Sequence, residues 1–292
     1  MKYLNLSEGF NPLGAREEEL IGFRSHVFNG GEPHIKVNYF RTCNVTITTR
    51  INRFDDLGLL ALAVDAVRRR GVGELRLFLP YFPGARQDRV CNPGEALTVK
   101  VYADMINAMG FKQVQIFDPH SDVAPALINN CHVIGNYEFV AKCLEDIQSE
   151  RPVLISPDAG ANKKVLLLGK FLGFSRKNVV KCDKERDLKT GKLSGFECPV
   201  LFTGEDCIIV DDICDGGGTF NGLGEVLKKQ GAVNLYLIVS HGIFSKQFNE
   251  LHKYFKAIYT TDSIRSEVHW ETAERSKGKS KICNIIKLED LE

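Results

Sequence analysis

The chain has 292 residues, 43% of them apolar and 26% charged, with a formal net charge of +1. That is length enough for about two globular domains, each with its own core. The near-neutral balance lacks the basic excess of a duplex-binding protein, and no apolar run approaches the ~20 residues needed to span a bilayer. The opening MKYLNLSEGFNPLG has no apolar core with a small-residue cleavage site, so it is a poor signal peptide. The nine cysteines include no Cys-x-x-Cys pair, and the seven histidines form no metal-binding ladder. Free thiols in a cytoplasmic protein are expected, with neither nucleic acid nor membrane as a partner.

In chain order, the first helix is expected over 56–70, with Leu59, Leu60, Ala63 and Val67 on one face. A strand follows at 75–80, and a helix at 95–109 built on Leu97, Val101, Met105 and Ile106. A strand at 114–118 precedes a crossing point at 135–140. Beyond it come strands at 153–156 and 207–210, a helix at 218–230 carrying Leu223, Val226 and Leu227, and a strand at 234–240. Residues 281–288 read as a further strand or an edge, of either domain. Apolar strands separated by helices predict an α/β protein with buried, mainly parallel sheets flanked by helices. The pattern runs twice, which divides the chain into domains 1–138 and 139–292.

Residues 208–220 read IIVDDICDGGGTF. An apolar strand runs into two carboxylates, then a glycine turn, then a helix. Gly216, Gly217 and Gly218 let backbone N–H groups approach an anion without Cβ obstruction, and the helix N-terminus adds its positive end. Thr219 can donate a hydroxyl. Asp211 and Asp212 would repel a phosphate, so they suit sugar hydroxyls or a magnesium ion beside it. The plainer reading is a glycine-rich connection after an acidic strand end. This run resembles the phosphoribosyl-diphosphate motif shared by type I phosphoribosyltransferases and the pyrophosphokinases that make their substrate.

Residues 80–89 read PYFPGARQDR and follow a strand, where α/β proteins bind ligands. Arg86 and Arg89 suit polyphosphate oxygens, with Gln87 for a base edge, although a solvated, salt-bridged loop is the usual fate of such charge. The run resembles the Pro-Tyr-Phe-x-x-Ala-Arg-Gln-Asp-Arg segment of ribose-phosphate pyrophosphokinases, which simple phosphoribosyltransferases lack. Four further segments match that family in order: NRFDDLGLLALAVDAVRR at 52–69, DPHSD at 118–122, SPDAGANK at 156–163 and SHGIF at 240–244.

The resemblance implies two similar phosphoribosyltransferase-like domains and a ribose-phosphate diphosphokinase. It implies ATP and ribose 5-phosphate as substrates and Mg2+ as the metal. It assigns Phe28, Gly30, Gly31, Glu32, Arg86, Gln87, Arg89 and His120 to ATP, and His120 and Asp158 to magnesium. Asp158 also reads as a helix N-cap, and both roles are compatible. Asp211, Asp212, Asp215, Gly216, Gly217, Gly218 and Thr219 would hold ribose 5-phosphate. Lys181, with Lys184 or Arg186, would be catalytic in a flap whose tip is a hairpin at 189–192. The implied working form is a homo-oligomer, a dimer at minimum and up to a hexamer. The chain departs from the family's pattern at Gly30 and Gly216, where the family has Asp and Thr, and at Asp183, where it has a second flap cation. These departures leave two alternatives open, a non-catalytic regulatory homologue and a phosphoribosyltransferase that consumes the diphosphate.

Overall fold

A computed structural model describes residues 1–42, 44–186, 193–246, 248, 250–266 and 282–291, with the backbone alone for 185, 186, 193 and 194. The hairpin tip expected at 189–192 lies outside the described residues. The chain divides into two compact units, Met1–Gly135 with Leu288–Asp290, and Asn136–Lys287 with Leu291–Glu292.

The first unit contains β1 (Lys2–Asn5), β2 (Phe23–Val27), β3 (Pro33–Val37), β4 (Asn44–Thr48), α1 (Phe54–Arg68) and β5 (Glu74–Phe78), followed by α2 (Thr98–Ala108), β6 (Gln113–Phe117), α3 (Val123–Leu127) and β7 (Cys131–Ile134). Five strands form a parallel sheet in the order β1-β4-β5-β6-β7, while β2 and β3 pair as a separate antiparallel hairpin. Leu57, Leu60, Ala63, Val64 and Val67 form the buried stripe of α1. That helix starts two residues before the expected Asp56. The Asp56 carboxylate reaches back to accept the N–H groups of Asn52 and Arg53, at 2.9 and 2.8 Å, and so sits at the third helical position. Conversely α2 starts later than expected. Glu95 is held in the preceding loop, where its carboxylate accepts the N–H groups of Cys91 and Asn92 at 2.9 and 3.0 Å.

The second unit contains α4 (Tyr137–Ile147), β8 (Pro152–Ser156), α5 (Asn162–Phe171), β9 (Val179–Lys181), β10 (Asp183–Arg186) and β11 (Leu193–Glu197), followed by β12 (Asp206–Cys214), α6 (Gly218–Lys229), β13 (Leu235–Gly242), β14 (Ala257–Thr261) and β15 (Cys283–Ile286). Six strands form a parallel sheet in the order β15-β14-β13-β12-β8-β9, and β10 and β11 make an antiparallel hairpin. The segment near residue 285 is thus an edge strand of this second sheet. Every residue of β13 is buried, as a central parallel strand requires.

Strand order locates the useful crevice. From β8 the chain moves outward to β9, then returns to lay β12 on the opposite side of β8. Connections leave in opposite directions there, which opens a crevice at the carboxyl ends of β8 and β12. In the first unit β4 to β7 succeed one another in one direction.

The strand expected to end at Val210 continues to Cys214, so Asp211 and Asp212 lie within β12. Pairing with β13, Asp211 opposite Val239 and Cys214 opposite Gly242, carries the strand through residues of poor strand propensity. No helix among the described residues is long and apolar enough to cross a membrane.

Helix α5 lies so close to β9 that a Cβ on Gly169 would stand 2.7 Å from a Val179 methyl. Valine at 169 should therefore cost about 1–3 kcal/mol through overpacking, read as a lower denaturation midpoint. An unchanged midpoint would contradict this packing.

Candidate active site

The crevice of the second unit is assembled from strand ends. Beyond β8, the Ser156 hydroxyl donates to the Asp158 carbonyl at 3.2 Å, and Asp158 Oδ1 accepts the Ala161 N–H at 3.1 Å. Asp158 therefore closes the turn that leads into α5, whose own N-cap is Ala161. Its other oxygen is left for a cation, and Lys184 Nζ stands 3.7 Å from it. Lys181, exposed at the end of β9, is paired in register with Ser156, and the next residue, Cys182, donates its N–H to the Ser156 carbonyl at 2.9 Å. Lys181 and Lys184 thus belong to the same strand end as Asp158. Successive residues of β10 face opposite ways, so Lys184 turns toward Asp158 while Asp183 turns away, opposite Glu197 of β11. Arg186 closes β10, and its side chain lies outside the described residues.

Neighbouring β12 brings Asp211 and Asp212. Asp212 is 8% exposed, and its N–H donates to Asp211 Oδ1 at 2.9 Å. Burial pushes the Asp211 carboxyl well above the usual carboxylate range, and the charges of Asp212 and Asp158 push the same way. Three carboxylates therefore act on one another here. Among the described residues no three His, Cys, Asp or Glu side chains form a complete metal cage. Magnesium does not need one, since it keeps several waters and takes one or two carboxylates with phosphate oxygens. The hard oxygen donors of Asp158, Asp211 and Asp212 fit such an ion.

The loop after β12 is shaped by glycine. Gly217 has φ +74°, and a Cβ there would stand 3.2 Å from the Leu251 side chain. Its carbonyl accepts the Asn221 N–H at 2.9 Å as α6 begins at Gly218. The Asp215 carbonyl accepts the Ser245 N–H at 3.1 Å, which ties the loop to the segment after β13. The aliphatic stem of Lys246 lies against Gly216, at 3.5 Å from a Cβ built there. Lys246 puts a cation beside the loop, and no pattern in the sequence pointed to it. Thr219 stands in the first turn of α6, partly exposed.

In the first unit, two segments expected to share a ligand do meet. Arg86, Gln87 and Arg89 are exposed on the loop after β5, and His120 is exposed after β6. Asp88 joins them. Its side chain is 5% exposed, it accepts from Arg89 Nε at 2.8 Å, and it also accepts from Ser121 beside His120. The Arg89 hydrogen bond above all, with help from Ser121 and His120, holds the Asp88 carboxyl below its usual range. Asp88 is thus the positioning group that the sequence reading passed over, and Arg89 is ion-paired rather than unengaged. Phe28, Gly30, Gly31 and Glu32 sit elsewhere, on the turn of the β2–β3 hairpin. Phe28 donates its N–H to the Glu32 carbonyl at 2.9 Å, and Gly31 has φ +90°. Phe28 is 53% exposed and meets the rings of His26 and His34 at centroid distances of 4.5 and 5.9 Å, so it does not plug the core.

Residues 19–110 match the family model for the N-terminal domain of ribose phosphate pyrophosphokinase. The ribose-phosphate pyrophosphokinase of Pasteurella multocida is 31% identical over 224 residues, which is 75% of this chain and 70% of that protein. That of Vibrio parahaemolyticus is 32% identical over 247 residues, covering 81% of this chain and 77% of the relative. This chain belongs to the ribose-phosphate pyrophosphokinase family. The solved phosphoribosylpyrophosphate synthetase of Mycobacterium smegmatis shares its fold, with a TM-score of 0.80 and 18% identity over 99% of this chain and 95% of that one. Within a pyrophosphokinase frame, the loop after β5 and the crevice of the second unit are the places to seek chemistry.

Asp211 also links this site to pH. A carboxyl raised on folding stabilises the protein fully below its ordinary value of 3.8, and that stability is lost as pH rises from there through the raised value. In chelator, Asp211→Asn should remove that loss, so its melting temperature should gain on the wild type as pH increases toward neutrality. Parallel melting curves for the two proteins would show that the carboxylates do not crowd one another.

Proposed function

We propose that the chain is a ribose-phosphate diphosphokinase that transfers the β,γ-diphosphate of magnesium–ATP to the anomeric hydroxyl of ribose 5-phosphate, giving 5-phosphoribosyl 1-diphosphate and AMP. The observation that carries the reading is the meeting of Lys181, Lys184, Asp158, Asp211 and Asp212 at the β8/β12 switch, beside the Gly217 loop. That set combines cations for a polyphosphate with carboxylates for a sugar and its metal. Family membership supplies the substrate pair.

The assignments follow from chemistry. Asp215, Gly216, Gly217, Gly218 and Thr219 hold the 5-phosphate through backbone N–H groups, a hydroxyl and the start of α6. Asp211 and Asp212 hold ribose hydroxyls, directly or through magnesium. Arg86, Gln87 and Arg89 bind the nucleotide, and Asp88 fixes the Arg89 guanidinium. His120 in the first unit and Asp158 in the second are each a candidate group for magnesium, which when bound would draw charge from phosphate oxygens. Lys181 neutralises charge that grows on the transferred group, and Lys184 supplies the second cation that Asp183 cannot, with Arg186 as the other candidate. Phosphoryl transfer of this kind is mostly positioning and charge stabilisation. We assign nucleotide and oligomer contacts to residues 1–138, and the sugar phosphate and flap to 139–292. The enzyme works in the cytoplasm as a homo-oligomer, a dimer at minimum. Phe28 and Glu32 on the exposed hairpin then serve the nucleotide of a neighbouring subunit.

Conversion of ATP to AMP, followed with and without ribose 5-phosphate, tests the reading. AMP that appears only with the sugar phosphate supports it, and nucleotide binding without AMP would overturn it. Lys181→Ala should lower kcat by roughly 10²–10³ with little change in either KM, as loss of one transition-state contact does. Alanine at Lys184 or Arg186 should cost nearly as much, and two silent variants would remove the substitute cation. Gly217→Val puts a β-branched side chain at positive φ and should raise KM for ribose 5-phosphate alone, whereas Gly216→Thr should be tolerated because a flexible lysine stem is its neighbour. Unchanged sugar-phosphate binding in Gly217→Val would refute the cradle. Co-folding Glu32→Ala with Lys181→Ala should restore part of the activity in mixed oligomers. Absence of rescue in demonstrated mixtures would argue against a shared site.

A further inference from the structure

The β10–β11 hairpin leaves and re-enters the body of the second unit at two cysteines. Cys182 stands immediately before β10 and Cys198 immediately after β11. The antiparallel register places Asp183 opposite Glu197, so Cys182 and Cys198 form the next opposed pair. Their backbone groups are engaged elsewhere. Cys182 donates its N–H to the Ser156 carbonyl, and the Cys198 carbonyl accepts from Gln230 Nε2 at 2.7 Å. Opposed residues that do not hydrogen-bond each other sit with Cα atoms about 4.5 Å apart, inside the ~4.4–6.8 Å that a disulfide spans. Both side chains are buried, at 0% and 7% exposure, and both belong to the unit's apolar core. The Cys198 thiol donates to the Val200 carbonyl at 3.9 Å, and the interaction between the two thiols lowers the acidity of Cys182 and raises that of Cys198. Neither residue takes part in the chemistry proposed above.

We propose that Cys182 and Cys198 are a dithiol–disulfide site, oxidised by peroxide, whose disulfide fastens the two ends of the flap hairpin together and slows turnover. The Cys198 thiolate attacks one peroxide oxygen. The O–O bond breaks, hydroxide leaves, and a sulfenic acid forms on Cys198. The Cys182 sulfur then displaces the sulfenic oxygen, so that a sulfur–sulfur bond forms as the sulfur–oxygen bond breaks. Two thiols and one hydrogen peroxide give one disulfide and two waters. A two-electron dithiol reductant reverses the change. A small oxidant suits this burial better than a protein disulfide would. Closing the bond brings the sulfurs to ~2.05 Å and pulls on the backbone one residue from Lys181. The effect on turnover rests on the diphosphokinase reading; the bond itself does not.

The test uses the full chain, reduced and then titrated with hydrogen peroxide. Peptide mapping by mass spectrometry should find Cys182 joined to Cys198, with loss of two thiols and recovery after dithiothreitol. AMP formation should fall at least tenfold in step with the link and return on reduction. Cys198→Ser and Cys182→Ser should keep the reduced protein's activity and resist peroxide. Full oxidation that joins other cysteines, or none, overturns the site. A mapped link with unchanged AMP formation overturns its control of turnover. The mapping needs no variant and no activity, so a failure of the diphosphokinase reading would appear separately, as a reduced protein that makes no AMP.

Discussion

Asp211 and Asp212, side by side in a buried parallel strand, put negative charge where water screens it poorly. Such a pair persists only if something nearby repays its desolvation. The surroundings are arranged to do so. Asp158 adds a third carboxylate within electrostatic reach, which makes the crevice more hungry for cations. Lys184 comes within 3.7 Å of Asp158 from the hairpin, and Lys246 lies along the adjoining glycine loop. A metal-bound polyphosphate and a polyhydroxylated sugar together bring the positive charge and the hydrogen-bond donors that this cluster calls for. The strand that carries the carboxylates is thus stable as a strand, through its pairing with β13, while it concentrates acid at its end.

Topology explains why this happens in one half. Both units are parallel sheets that carry an antiparallel hairpin, but only the second returns across its own starting strand. That return places the ends of β8 and β12 side by side with their connections diverging. In the first unit, segments after successive strands meet instead through Asp88, whose buried carboxylate joins the Arg89 loop to the Ser121 and His120 turn. One half offers a crevice lined with acid, the other an exposed basic edge organised by a single carboxylate.

Much of this was legible in the sequence. The alternation of apolar strands and amphipathic helices gave the two parallel sheets, and the glycine run after an acidic strand end located the loop at Gly217. What stayed hidden depends on partners remote in sequence. Asp211 and Asp212 read as loop residues because Asp is a poor strand former, and only the register with β13 makes them strand. Glu95 read as part of a helix because its carboxylate's partners, the N–H groups of Cys91 and Asn92, are a matter of loop geometry. The β2–β3 hairpin escaped because its outward residues alternate weakly, whereas β10 and β11 flank the turn expected at 189–192, and only their bounds were hidden. Lys246 and Asp88 became visible only as neighbours in space.

The hairpin that carries Lys184 packs against α6 through β11, and at one point the approach leaves no room for a side chain. Phe196 of β11 lies so close to Gly222 that a Cβ there would fall 2.2 Å from its ring. A glycine inside a helix gives up about 1 kcal/mol relative to alanine, so local helix stability favours its replacement. Any replacement would first have to evict the ring. The two positions are therefore tied in descent: a lineage that trades Phe196 for something smaller frees Gly222 to drift, and one that keeps the ring inherits the glycine with it. Comparison across relatives should find large at one position with glycine at the other, and the pair changing together or not at all.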